Sequence, residues 1–250
     1  MISKNTSKLI TSLSIKKKRD ELSMFIAEGS KLIYDLALSF KCEILIATTQ
    51  WIADHEPIEA NQIIETTIDD LKKISNQLNP QGVLAVFRKP SYQFDITQIT
   101  EKLSIALDDV QDPGNLGTII RIADWFGISD IFCSEHSADA YSPKAVQACM
   151  GALSRVRVHY VEINGFLNLC NGKLPIYGTF MNGENIYEKS LSNNGIILMG
   201  NEGKGISEEL GEFVTERLLI PNYPKGELTS ESLNVGVATA LVCAEFRRKN

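Results

Sequence analysis

The sequence predicts an α/β protein of two domains: a small α/β layer domain over 1–90 and a mainly parallel-sheet domain over 102–250, joined by a linker at 91–101. Three observations lead there. Short apolar runs alternate with segments of helical periodicity along most of the chain, as strands layered with helices require. In the second half that order repeats several times, which implies a mainly parallel sheet with both faces covered. Between the halves, Lys89-Pro90-Ser91 opens a stretch in which proline, serine and polar residues replace the periodic pattern until about Thr100. With 250 residues, 44% of them hydrophobic, both domains have ample core material.

In order, residues 3–20 read as helical and basic, and Phe25-Ile26-Ala27-Glu28-Gly29 as a short strand closing on glycine. Leu32, Leu36 and Phe40 set a helix over 31–40, followed by strand 43–48. After a polar, proline-containing stretch, strand and helix signals recur at 62–66 and 69–78, then a strand at 82–87. The second half reads as strand 103–107, helix 115–126, strand 130–133, helix 143–153, strand 155–161 and a short helix near 166–170. It continues with strands at 174–180 and 195–199 and a helix from Ile206. Pro221 stops the apolar run Arg217-Leu218-Leu219-Ile220, because proline cannot donate to a ladder. A loop punctuated by Pro224 and Gly226 leads to a final helix with Ser230 or Ser232 as candidate N-caps. Leu233, Val237, Leu241 and Ala244 give that helix an apolar face, read as core, and Gly236 and Ala240 add small residues that suit close approach by another backbone.

Composition excludes several classes. The five cysteines are scattered, odd in number and never paired as Cys-x-x-Cys, which argues for reduced thiols in a cytoplasmic protein. The three histidines are equally dispersed, and no metal site is expected. No apolar run is long enough to span a bilayer, so no membrane partner is expected. A net charge of −6 conceals two basic clusters, Lys16-Lys17-Lys18-Arg19 and Arg247-Arg248-Lys249, which read either as solvated tips or as phosphate contacts.

Ligands of parallel sheets sit at the carboxyl ends of strands, so the loops after Leu107, Phe180, Met199 and Ile220 are the places for chemistry. In the first, Asp112-Pro113-Gly114-Asn115 makes a tight turn, Asn115 can cap the helix, and Arg121 on its second turn can reach back toward the loop or serve as a surface ion-pair partner. The next, Gly200-Asn201-Glu202-Gly203-Lys204-Gly205, either aims backbone amides at a ligand or is a bare turn. It is not a P-loop, because Ile206 and Ser207 follow the last glycine instead of lysine and a hydroxyl residue. A dinucleotide fingerprint from Gly203 fails at Glu208.

Together, Asn115-Leu116-Gly117 with Arg121 and Phe126-Gly127, Gly200-Asn201-Glu202 with Gly205, and Ile220-Pro221 with Ser232-Leu233-Asn234-Val235 resemble the three motifs of the SpoU (TrmH-like) family of tRNA and rRNA 2′-O-ribose methyltransferases, within the SPOUT class. The resemblance covers about 103–248. Residues 25–29 and 79–86 are similar to the ribosomal-protein-like RNA-binding domain often joined to it. One departure is the ten residues between Pro221 and Ser232, where family members usually have fewer.

The resemblance implies a SPOUT methyltransferase domain with a C-terminal trefoil knot, S-adenosylmethionine as cofactor, RNA as substrate, and a homodimer through the C-terminal domain whose sites draw on both subunits. It implies cofactor contacts from Thr179, Gly200, Asn201, Gly205, Ile220, Pro221 and Leu233, with Met181 opening part of the same wall. The reacting groups would be Arg121, Ser232 and Asn234, with Asn115 and Glu202 shaping the site. A guanidinium keeps its proton at any ordinary pH, so Arg121 is expected to hold a phosphate and a developing oxyanion, while Ser232 and Asn234 orient the hydroxyl. A non-catalytic RNA-binding or ribosome-assembly factor on the same fold is the alternative. A nucleotide-dependent oxidoreductase lacks its glycine fingerprint.

Overall fold

The computed structural model describes residues 2–224 and 232–248. The expected cap Ser230, Gly226, Lys249 and most of the long loop before Ser232 lie outside the described residues. The chain divides into two compact units, Met1–Ser91 with Asp139–Arg155, and Tyr92–Ala138 with Val156–Asn250.

The first unit begins with α1 (Lys4–Ser12) and α2 (Lys16–Leu22), where the sequence suggested one helix. It continues through β1 (Met24–Glu28), α3 (Ser30–Ala37), β2 (Cys42–Thr48), α4 (Thr49–Asp54), β3 (Gln62–Thr66), α5 (Ile68–Lys72) and β4 (Val83–Arg88). The helix α4 was not anticipated; Thr48 caps it by accepting from the Trp51 amide. The four strands form one sheet in the order β1-β4-β2-β3, with only β2 and β3 parallel. Ile10, Leu13, Ile26, Ile46, Leu71, Ile74, Leu84 and Val86 fill the core beneath it.

The second unit opens with α6 (Ile96–Thr100) inside the expected linker, then β5 (Leu103–Leu107), α7 (Pro113–Trp125) and β6 (Asp130–Ser134). The chain then returns to the first unit with α8 (Pro143–Cys149), which the sequence placed in the second half. In that excursion Asp139 accepts from Arg19 at 2.7–2.8 Å, both side chains being buried, so one of the four clustered cations is closed off within the unit. The second unit resumes with β7 (Arg157–Val161), α9 (Ile163–Cys170), β8 (Ile176–Asn185), β9 (Gly195–Met199), α10 (Glu208–Gly211), β10 (Glu216–Leu219) and α11 (Val235–Arg247).

All five pairings of its sheet are parallel, in the order β10-β8-β9-β5-β6-β7. From β5 the chain builds outward through β6 and β7, then crosses to the other side to lay down β8, β9 and β10. The β5/β9 boundary is therefore a topological switch point, where adjacent loops leave the sheet edge and open a crevice.

At the opposite edge, Asp130 heads β6 with its carboxylate buried, accepting from Arg157 at 2.6 and 2.8 Å, from His159 Nε2 at 2.9 Å and from Ser129 at 3.0 Å. Burial disfavours its charge, but the donors from His159, Arg157 and Ser129 outweigh this and hold the carboxyl well below the usual carboxylate range. A depressed folded-state pKa stabilises the fold above the ordinary carboxylate value of ~4 and loses that contribution as pH falls through the lower, folded value. Asp130→Asn is expected to lower stability by roughly 3 kcal/mol at neutral pH. In urea unfolding, the gap between the two proteins should narrow steadily below pH ~4; a gap independent of pH would contradict the assignment.

Candidate active site

The site forms where the loops after β5 and β9 meet. The side-chain oxygen of Asp112 accepts from the Asn115 amide at 2.9 Å, so Asp112, followed by Pro113 at the first helical position, caps α7. The sequence had given Asn115 that task. Its side chain is instead free to work between loops: Nδ2 donates to Glu202 at 3.0 Å, and Oδ1 accepts from Asn234 Nδ2 at 2.9 Å. Asn234, rather than a serine, caps α11, accepting from the amides of Gly236 and Val237 at 2.9 and 3.3 Å.

Glu202 also accepts from the backbone amides of Gln111 and Asp112 at 3.3 and 3.2 Å. Burial works against its charge, yet the Asn115 amide and these backbone donors hold its carboxyl below the ordinary value. Asn201 fastens the same two loops by donating to the Asp109 carbonyl at 2.7 Å, and its Oδ1 accepts from the amides of Gly203 and Lys204. Three distant segments, around Asn115, Glu202 and Asn234, are thus joined in one polar chain.

The glycine loop is closed on itself by bonds between Asn201 and Gly205 in both directions, at 2.9 and 3.0 Å. A Cβ at Gly200 would collide with the Gly205 carbonyl carbon and the Ile206 nitrogen, so a side chain there is excluded. Beside the loop, β8 and β10 pair through Arg217↔Gly178 and then jump to Leu218↔Glu184. The jump pushes 179–183 out of the ladder, and the Arg217 guanidinium lies 4.2 Å over the extruded Phe180 ring.

These pieces enclose a cleft of about 400 Å³. Of the expected site residues, Thr179, Gly200, Asn201, Glu202, Gly205, Ile220, Ser232 and Leu233 line it. Asn115 and Asn234 join it through Glu202, whereas Pro221 does not line it. Arg121 stands on the third turn of α7, exposed and with no hydrogen-bond or ion-pair partner among the described residues, and it does not line the cleft of its own chain. The residues not anticipated include the apolar walls Met199, Ile206, Leu218, Leu219 and Val235, with Ala238 and Lys204. Their hydrophobicity marks them as core in sequence, and only the extruded 179–183 segment and the loop geometry show that they face a cavity.

The parallel helices α7 and α11 flank the site. Gly236 permits the approach: a Cβ there would stand 3.2 Å from Thr118 Cγ2. At the far ends Arg247 donates to the Phe126 carbonyl at 2.9 Å. The buried residues of α11 are Val235, Gly236, Thr239, Val242, Cys243, Glu245 and Phe246. The face read as core, Leu233, Val237, Leu241 and Ala244, is exposed in the single chain. Among the described residues no helix is long and apolar enough to cross a membrane, and no group of three His, Cys, Asp or Glu is placed to hold a metal.

The cleft's size and mixed lining, apolar walls with backbone amides and few polar side chains, suit a nucleoside-sized ligand such as S-adenosylmethionine. Gly200→Ala is expected to destabilise the protein by about 2 kcal/mol or more, read as a lowered urea midpoint, because the closed loop has no room to relax. An unchanged midpoint would contradict the closed-loop geometry.

Comparison with known proteins identifies the family and the fold. Residues 102–244 match the SpoU rRNA Methylase family, and residues 4–85 match the MRM3-like substrate binding domain. The chain is 30% identical over 241 residues to the 23S rRNA (guanosine(2553)-2′-O)-methyltransferase RlmP of Bacillus subtilis, covering 94% of this chain and 93% of that one. Among solved structures, a Porphyromonas gingivalis protein of the TrmH family of RNA methyltransferases superposes with a TM-score of 0.90 at 39% identity, over 100% of both chains. The AdoMet-bound rRNA methyltransferase of Sinorhizobium meliloti superposes with a TM-score of 0.84 at 28% identity, over 100% of this chain and 96% of that one. With the family match extending across the cleft, the Asn115, Glu202 and Asn234 chain and both flanking helices, the protein belongs to the SpoU rRNA methylase family.

Proposed function

We propose that this protein transfers a methyl group from S-adenosylmethionine to a ribose 2′-hydroxyl of RNA. Its relatives are named as rRNA 2′-O-methyltransferases, and a structural neighbour carries AdoMet. The observation that carries the reading is the convergence of Asn115, Glu202 and Asn234 beside a cleft walled by Gly200, Ile220 and Leu233. When bound, the cofactor supplies an electrophilic methyl on a sulfonium. The chain's contribution is then orientation and charge.

In this reading the loop amides around 200–205 and the apolar wall hold the cofactor. Ser232, on the cleft wall, accepts or donates a hydrogen bond at the target hydroxyl, and Asn234 holds its place through Asn115. Arg121 holds a phosphate and the developing alkoxide, rather than acting as base. Because Arg121 does not line the cleft of its own chain, in this reading it serves the site of a second copy. The exposed apolar stripe Leu233, Val237 and Leu241, with Trp125 85% exposed nearby on α7, supports a homodimer through this face. The trefoil knot expected of the family and a cytoplasmic location belong to the same proposal, as does RNA recognition by the first unit.

Three outcomes follow. Incubation with tritiated S-adenosylmethionine and ribosomal RNA from cells lacking the gene is expected to place label on one ribose, resistant to alkaline cleavage; label on a base, or none, contradicts the proposal. Arg121→Lys is expected to slow single-turnover transfer roughly 100-fold, since an ammonium cannot reproduce a bidentate clamp; a near-native rate would remove the clamp. Val237→Glu with Leu241→Glu is expected to convert dimer to monomer by light scattering and to cut turnover roughly 100-fold; a fully active monomer would refute the shared site.

A further inference from the structure

Among the described residues lining the cleft, only Glu202 and Lys204 carry charged side chains. Glu202 is occupied, accepting from Asn115 and from the amides of Gln111 and Asp112. Lys204 is not. Its backbone is fixed, its amide donating to Asn201 Oδ1 at 3.1 Å within the loop closed by Asn201 and Gly205, so the root of the side chain is held at the cleft rim. Its ammonium is exposed and has no hydrogen-bond or ion-pair partner among the described residues.

Four cations of the two basic clusters differ from it. Arg19 is closed by Asp139, Lys18 pairs with Glu21, Arg247 is spent on the Phe126 carbonyl and Arg248 on Glu245. A cation anchored at the rim of an apolar-walled cleft is better placed to hold an anion than one in open solvent, because partial desolvation strengthens the pair.

We propose that Lys204 is a binding residue for an anionic oxygen of a ligand at this cleft. Two sources share that chemistry: the carboxylate on the amino-acid tail of the cofactor, and a phosphate of the RNA strand being methylated. The inference rests on the reading of the cleft as the methyl-donor site. It adds a residue to which neither the resemblance nor the network of Asn115, Glu202 and Asn234 gives a part.

The test uses the full chain as wild type, Lys204→Met and Lys204→Arg. Calorimetry compares S-adenosylhomocysteine with 5′-methylthioadenosine, which lacks the carboxylate, and steady-state methylation of RNA is followed over a range of salt. If the anion is the cofactor's carboxylate, Lys204→Met weakens S-adenosylhomocysteine about fivefold and leaves 5′-methylthioadenosine within about twofold, and Lys204→Arg restores most of the loss. If it is a phosphate, both nucleosides bind Lys204→Met as they bind wild type. The RNA KM then rises about fivefold with kcat unchanged, and the slope of log KM against log salt falls by about 0.7. Either pattern supports the proposal. Overturning it requires that Lys204→Met keep both S-adenosylhomocysteine affinity and RNA KM within about twofold of wild type. Failure of wild type itself to bind S-adenosylhomocysteine would instead remove the cofactor reading beneath it, and the inference with it.

Discussion

A half-buried carboxylate must find donors or lose its charge, and Glu202 finds all of its inter-loop donors on one segment some ninety residues earlier in the chain. That requirement fixes the loop after β9 against the loop after β5. It also orients Asn115, because an amide nitrogen committed to Glu202 leaves its oxygen facing Asn234, and Asn234 in turn starts α11. The geometry of the cleft follows from this chain of commitments. Removing the carboxylate would leave two backbone amides and one side-chain amide without acceptors, and the start of the last helix would lose its register on the first loop.

The sheet supplies the stage for that interaction. Because β5 and β9 are neighbours although far apart in sequence, their outgoing loops emerge side by side at one edge. The jump in register between β8 and β10 then supplies a wall that a regular ladder would have kept flat, carrying Thr179, Phe180 and Met181 to the cleft. Parallel packing of α7 and α11 brings both helix starts to the same place, which is why one asparagine can cap a helix and bond its neighbour's first turn.

Much of this was legible in the residues. Buried strands such as β4, β5 and β9 fall where short apolar runs are bounded by turn residues, since a fully buried strand leaves a continuous signal. The glycine loop and the asparagines were drawn to the site by the resemblance to the three family motifs, since by residue type alone the loop could be a bare turn and Asn115 a cap. What local pattern could not supply was partnership. Asp112 and Asn115 are equally good caps by type, and only the proline after Asp112 and the pull of Glu202 separate them. Arg19 reads as one more surface cation until Asp139, 120 residues away, is seen to bury it. On α11 both faces are apolar, so periodicity found a stripe but not which stripe the chain itself covers; the one at Leu233, Val237 and Leu241 is left outward. The return of 139–155 to the first unit is likewise a long-range choice with no local mark.

The central claim is that the cleft between the glycine loop and the start of α11 receives the methyl donor. A diffraction structure of the protein crystallised with S-adenosylhomocysteine tests this most directly. The account predicts density for the nucleoside against Gly200, Ile220 and Leu233, with the thioether facing Ser232. Density elsewhere on the chain, or a cleft left empty at saturating ligand, would contradict it.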